Sequence, residues 1–109
     1  MPAKKYGGIN ANPGYWNLLV TGASGKDTTV SIHVVNRNPM EVHVDIALTS
    51  ADPLVSAVPP EDTIYYRQLV YGEDSRQFRG IVVPEGVNLV IYTSSPNITC
   101  IAYGFEEAK

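Results

Sequence analysis

What this chain has little of narrows it first. Its 109 residues hold a single cysteine, Cys100, so no disulfide can close within the chain, and the setting it suits is reduced or redox-indifferent. Charge is sparse and nearly balanced, with 8 basic and 11 acidic side chains and a formal net charge of −3. Such a balance exerts no long-range pull on phosphate backbones or anionic lipid. The basic pair Lys4-Lys5 is too short to serve as a nucleic-acid arm. No apolar run approaches membrane-spanning length, and no apolar stretch follows the lysine pair. The expectation is a protein made in a cytoplasm and not exported through a signal peptide, with neither nucleic acid nor membrane as partner. A helix-length amphipathic pattern is absent as well.

What is present is β-strand. From Tyr15 to Phe105 the chain is a series of β-branched and aromatic runs cut by Gly, Pro, Asn and Asp. Strands are expected over 15–21, 28–36, 42–48, 64–70, 77–83, 87–93 and 98–105. In the second, Val30, Ile32 and Val34 alternate with Ser31 and His33; in the third, Val42, Val44, Ile46 and Leu48 alternate with His43, Asp45 and Ala47. Joined by the return Arg37-Asn38-Pro39-Met40, these two runs predict a hairpin with one buried and one open face. Residues 50–62, with three prolines, predict a surface connection between sheets. The class implied is all-β: an antiparallel sandwich of about seven strands, Ig-like or jelly-roll-like. Residues 15–109 form its single domain. Residues 1–14, with three glycines and two prolines, are expected as an extended arm that orders on a neighbouring subunit through Tyr6 and Ile9. A chain of 11.9 kDa buries only about 65% of its unfolded surface. Association into a homo-oligomer would add stability.

Few side chains group into chemistry. If the return is symmetric about Asn38, His33 faces His43 and Ser31 faces Asp45, with opposed Cβ atoms about 4.5–5.5 Å apart. Two imidazoles and the Asp45 carboxylate form a weak candidate set for a divalent metal. The chain has no third histidine, and the same residues read equally as the polar face of a sheet, so no metal or other cofactor is assigned. Cys100, among Ile98, Thr99 and Ala102, reads as a buried small hydrophobe, with no base nearby in sequence to make it a nucleophile. Arg67, Arg76 and Arg79 with Glu73 and Asp74 read either as a self-compensating surface or as ion pairs between subunits. The seven tyrosines and Trp16 are unusual for so small a domain; core and sheet filling explains most of them, and ring systems with a polar tip also suit protein interfaces or carbohydrate stacking. Phosphate-binding loops, nucleophile elbows and metal-spacing motifs are missing, and no enzymatic activity is expected.

The stretches VVNRNPMEVHVDIALTS (34–50), IYYRQLV (64–70), FRGIVVPEGVNLVIYTSS (78–95) and ITCIAYGFEE (98–107) resemble small virion structural proteins of tailed bacteriophages. The likeness spans roughly 15–107 and rests on fold-like motifs: a strand ending in Asn-Arg, a tyrosine-rich strand, and a Gly-Ile-Val-Val-Pro hairpin. It implies a β-sandwich that serves as a capsid decoration (cement) protein, located in the virion and bound to the major capsid protein or other virion proteins. The alternative it leaves open is a tail, baseplate or fibre component, such as a small adhesin for host-surface carbohydrate. The interface residues expected are Tyr6, Ile9, Trp16, Pro53, Leu54, Val55, Tyr66 and Arg67.

Overall fold

Strands that alternate apolar and polar side chains bury one face each, and two sheets that press those faces together satisfy all of them at once. The computed structural model describes residues 4–52 and 58–108, and it takes this form. Its eight strands are β1 Lys4–Asn10, β2 Tyr15–Thr21, β3 Lys26–Asn36, β4 Val42–Thr49, β5 Thr63–Val70, β6 Asp74–Val83, β7 Asn88–Thr93 and β8 Ile98–Ala108. One 3-10 turn, Pro60–Asp62, precedes β5. The strands form two antiparallel four-stranded sheets, β1-β8-β3-β6 and β2-β7-β4-β5.

The pairing is nested. The first strand pairs with the last, the second with the seventh, the third with the sixth, and the fourth with the fifth. A chain paired in this way is one long hairpin whose innermost pair is β4 and β5. The hairpin is then rolled, so that β3 also meets β8 and β4 also meets β7. Between the layers Val30, Ile32 and Val34 of β3 and Ile98 and Cys100 of β8 join Val44, Ile46, Leu89 and Ile91 of the second sheet in one buried core. Each such aliphatic side chain contributes about 1.5–3 kcal/mol on leaving water.

Two expectations are corrected here. The runs 28–36 and 42–48 do not form a hairpin: β3 lies in one sheet between β8 and β6, and β4 lies in the other between β7 and β5. Alternation says which face of a strand is buried and leaves open which strand lies beside it. Residues 4–10 are not an arm reaching to a neighbour either. They are β1, paired with β8 from Lys4↔Gly104 to Asn10↔Thr99. Tyr6 and Ile9 turn inward and pack against the chain's own core. The glycines that make this segment look unstructured serve its packing, since a Cβ on Gly7 would lie 2.6 Å from the Leu19 carbonyl oxygen. That contact closes the seam between the sheets on the β1–β2 side. Tyr65 against Phe78, with ring centroids 4.8 Å apart, closes the other side.

Each edge strand is interrupted by a bulge. The extra residues are Tyr6 in β1, Leu19 in β2, Arg79 or Gly80 in β6, and Ile64 together with Tyr66 or Arg67 in β5. The interior pairs β3–β8 and β4–β7 run without a shift. Bulges bend an edge and break the ladder that a foreign strand would need.

One end of the sandwich is held by a buried amide. Asn36, 1% exposed, donates from Nδ2 to the carbonyl oxygens of Met40 (2.8 Å), Val70 (3.2 Å) and Tyr71 (3.2 Å). Its Oδ1 accepts from the backbone N–H of Asn38 (2.9 Å) and from Asn38 Nδ2 (3.0 Å). Asn38 Nδ2 also donates to the Pro96 carbonyl at 2.7 Å. Two crossings between the sheets, at 37–41 and 71–73, therefore meet at the Asn36 side chain, and Asn38 ties in the third, at 94–97. Gly72 is seated so tightly here that a Cβ would come within 2.2 Å of the Pro39 carbonyl oxygen.

Replacing Asn36 by Leu keeps the volume roughly and strands three carbonyls. We expect a loss of about 3 kcal/mol or more, read as a lower midpoint in urea unfolding. A change within 0.5 kcal/mol of zero would show that the crossings hold without the amide. A second expectation concerns β1. Glu106 on β8 binds Lys26 Nζ and Lys4 Nζ, each at 3.1 Å, and these two contacts hold its carboxyl below the usual range. A lowered acid favours the fold above its unfolded pKa, about 4.3 for glutamate, and that contribution disappears as the pH falls through the lowered value. Hydrogen-exchange protection at Lys5 and Tyr6 should therefore drop in acid before that of Ile32 and Val34. Equal pH dependence along both strands would contradict the tie.

Candidate functional site

The outer face of the second sheet gathers most of the chemistry this chain has. On β4, His43, Asp45 and Ala47 alternate with core residues and so face outward, as do Asn88, Val90 and Tyr92 on β7. The register places Asp45 and Trp16 on either side of Tyr92. The Trp16 and Tyr92 rings lie 5.6 Å apart at 49°. Ala47 and Val90 are wholly buried although they point away from the core. Ala51 lies over the same face: its N–H donates to Thr49 Oγ1 at 3.1 Å, and its carbonyl accepts from Asn88 Nδ2 at 3.1 Å.

The bulge in β5 shapes the edge of this face. It sets two residues, Tyr66 and Arg67, against the single residue Asp45 of β4. An extra residue in a ladder has an N–H without a strand partner, and here the Asp45 carboxylate takes the Arg67 N–H at 2.6 Å. Arg67 adopts φ 49, left-handed backbone that is uncommon for a side chain of this size. Beside it lies a cleft of about 160 Å³ lined by Glu41, Val42, His43, Asp45, Arg67, Tyr92, Ser94 and Ser95. Tyr66, next to Arg67, is 69% exposed.

Of the residues singled out in the sequence, His43, Asp45, Arg67 and Trp16 are thus brought to one face. His33 is not among them. It lies on the outer face of the first sheet, across from Gln77 and Ile101, with its ring edge-on to Tyr103 at 5.5 Å. Gln77 Nε2 donates to the Tyr103 hydroxyl, and Gln77 Oε1 accepts from Arg79 Nε at 3.0 Å. The pairing of His33 with His43, and of Ser31 with Asp45, is corrected with the hairpin that implied it: Ser31 faces Tyr103, and Asp45 faces Tyr92. Among the described residues, no group of three or more His, Cys, Asp or Glu side chains could share a metal ion. Tyr6 and Ile9 face the core, and burial followed by the Glu106 charge raises the Tyr6 hydroxyl above its ordinary pKa. Pro53, Leu54 and Val55 lie outside the described residues. Arg76 binds neutral partners, the Leu69 carbonyl at 3.1 Å and Gln68 Oε1 at 2.9 Å, and stacks on Phe78 at 4.9 Å.

Glu41, Ser94 and Ser95 are the cleft residues that sequence reasoning passed over. Each sits in a connection next to a strand end, where alternation gives no orientation. Only the adjacency of β4 and β7, two strands far apart in the chain, brings them together. No known protein family, characterised sequence or solved structure matches this chain.

Cys100 is fully buried, and burial pushes its thiol up to about 12. A raised thiol keeps its proton in the folded state, so its contribution to stability is present below the unfolded value, about 8.5, and falls away as the pH climbs above it. The folded protein at pH 8 should therefore leave a disulfide reagent unreacted over hours, with one equivalent released on unfolding in urea. Rapid labelling without denaturant would mean that β8 opens locally.

Proposed function

We propose that this chain is a non-enzymatic decoration protein of a tailed-bacteriophage capsid. It would bind the outer shell as a homo-oligomer, a trimer at subunit junctions, and tie neighbouring capsid proteins together. The observation that carries this reading is the strand order. Two sheets ordered β1-β8-β3-β6 and β2-β7-β4-β5, from a rolled hairpin, have the order of an eight-stranded jelly roll, and we read the sandwich as that type. Capsid and lectin domains are among the users of this architecture. Fold alone does not fix function, and the surface and the sequence resemblance to small virion proteins supply the rest of the support.

Apart from Val82 on β6, the exposed large apolar side chains among the described residues gather at two places. Met40 and Tyr71, 75% and 64% exposed, project from the end that the Asn36 amide fixes. Tyr15, Leu18, Ile64 and Tyr66 are exposed on β2 and β5, the two edge strands of the second sheet. Tyrosine suits contacts that repeat around a shell because little side-chain freedom is lost when it is covered, and the flexible thioether of methionine adapts to irregular surfaces. In this reading subunits meet through side-chain surfaces. The bulged edges resist strand addition, and β1 is already engaged in its own sheet.

The test is the copy number of the chain in purified virions of the phage that carries its gene, measured by mass spectrometry against the major capsid protein. A ratio approaching one to one is expected. A few copies per particle would move the chain to the tail, and its absence from particles would remove the virion reading.

A further inference from the structure

We infer that the cleft between β4, β5 and β7 is a binding site for one uncharged pyranose ring. Its size argues for a single ring: at about 160 Å³ it falls well below the roughly 300–1,000 Å³ of pockets that take drug-sized ligands. Its wall argues for a sugar. Tyr92 lines the cleft and Trp16 leans on Tyr92 at 5.6 Å, so an aromatic surface is held in place by a second ring. An aromatic wall accepts the C–H face of a pyranose, while hydroxyls at the ring's rim need donors and acceptors in one plane.

The cleft provides both kinds. Asp45 spends one carboxylate oxygen on the Arg67 N–H, and Glu41 also lines the cleft. Arg67 offers a planar fork of donors, and Ser94 and Ser95 offer hydroxyls that donate or accept. The charges decide between neutral and acidic sugars. Two carboxylate residues, Glu41 and Asp45, line the cleft against one arginine, an acidic excess that opposes an anionic ligand.

The backbone makes Arg67 a clean position to probe. Arg67 sits in left-handed geometry, at φ 49, in the bulge whose N–H Asp45 takes, and glycine is at ease in that conformation. Replacing it by glycine removes the side chain and leaves the backbone conformation favourable. The site is separate from the proposal about the capsid, because the copy number of the chain in a particle has no bearing on whether the cleft takes a sugar.

The experiment titrates the ¹⁵N-labelled full chain with methyl glucoside, methyl galactoside and methyl mannoside, and with glucuronate as the charged control. At least one neutral glycoside should shift the amides of His43, Asp45, Tyr92 and Ser94 with saturation in the millimolar range, and glucuronate should bind at least tenfold more weakly. Arg67→Gly should weaken binding at least tenfold while leaving the thermal midpoint unchanged or raised, since the φ strain is relieved. Tyr92→Ala, scored only if its spectrum stays folded, should also weaken binding at least tenfold. Silence of the cleft amides with all three glycosides would overturn the site, as would wild-type affinity in Arg67→Gly. Equal affinity for glucuronate would overturn the neutral assignment. Binding lost together with a lower midpoint in Arg67→Gly would give Arg67 a structural role instead.

Discussion

Five hydrogen bonds to one buried amide hold the end of this molecule where the chain changes sheets. A backbone that leaves one sheet for the other turns carbonyl groups into the interior, and each left unpaired costs about 1–3 kcal/mol. Asn36 takes three of them on a single nitrogen and fixes the 37–41 crossing through its oxygen. Asn38 extends the node to Pro96, and Arg37 adds a backbone bond to the Asn97 carbonyl at 3.1 Å. The 94–97 connection begins with Ser94 and Ser95, which line the cleft on the second sheet. The geometry of the cleft thus depends on an amide that is no part of it.

Much of the fold was legible because alternation is a local property. The bounds of β2 and the inward faces of β3 and β4 follow from runs such as Val30-Ser-Ile-His-Val34. Neighbourhood is a non-local property, and it was not legible. His33 and His43 look like partners at either side of a short return, yet the return is a crossing that sends them to opposite faces of the molecule. Leu18-Leu19-Val20 breaks alternation because Leu19 is the bulged residue, and both it and Val20 face the core. In the candidate site, His43, Asp45, Arg67 and Trp16 stood out by residue type. Their convergence on Tyr92 needed the β2–β7–β4 adjacency that only the folded chain supplies.

The bulges serve two ends with one device. In β1 and β2 they turn an extra side chain, Tyr6 or Leu19, toward the core and so thicken the packing at the seam. In β5 the bulge leaves an N–H that Asp45 must satisfy, which draws Arg67 to the cleft. The same irregularities deny a foreign strand a regular edge. The sheets are continuous at their centres and broken at their margins, and the margins are where a small β domain risks uncontrolled association.

Nested pairing also dictates an order of events. β8 lies between β1 and β3, so the first sheet has no continuous middle until the last strand of the chain has been made. During synthesis β1 is made first among the described strands and waits through six others for its partner β8. Folding of this sheet therefore requires closure over a loop that takes in every strand between them. Such long-range pairing is slow, and its barrier is dominated by the entropy of bringing the two ends together.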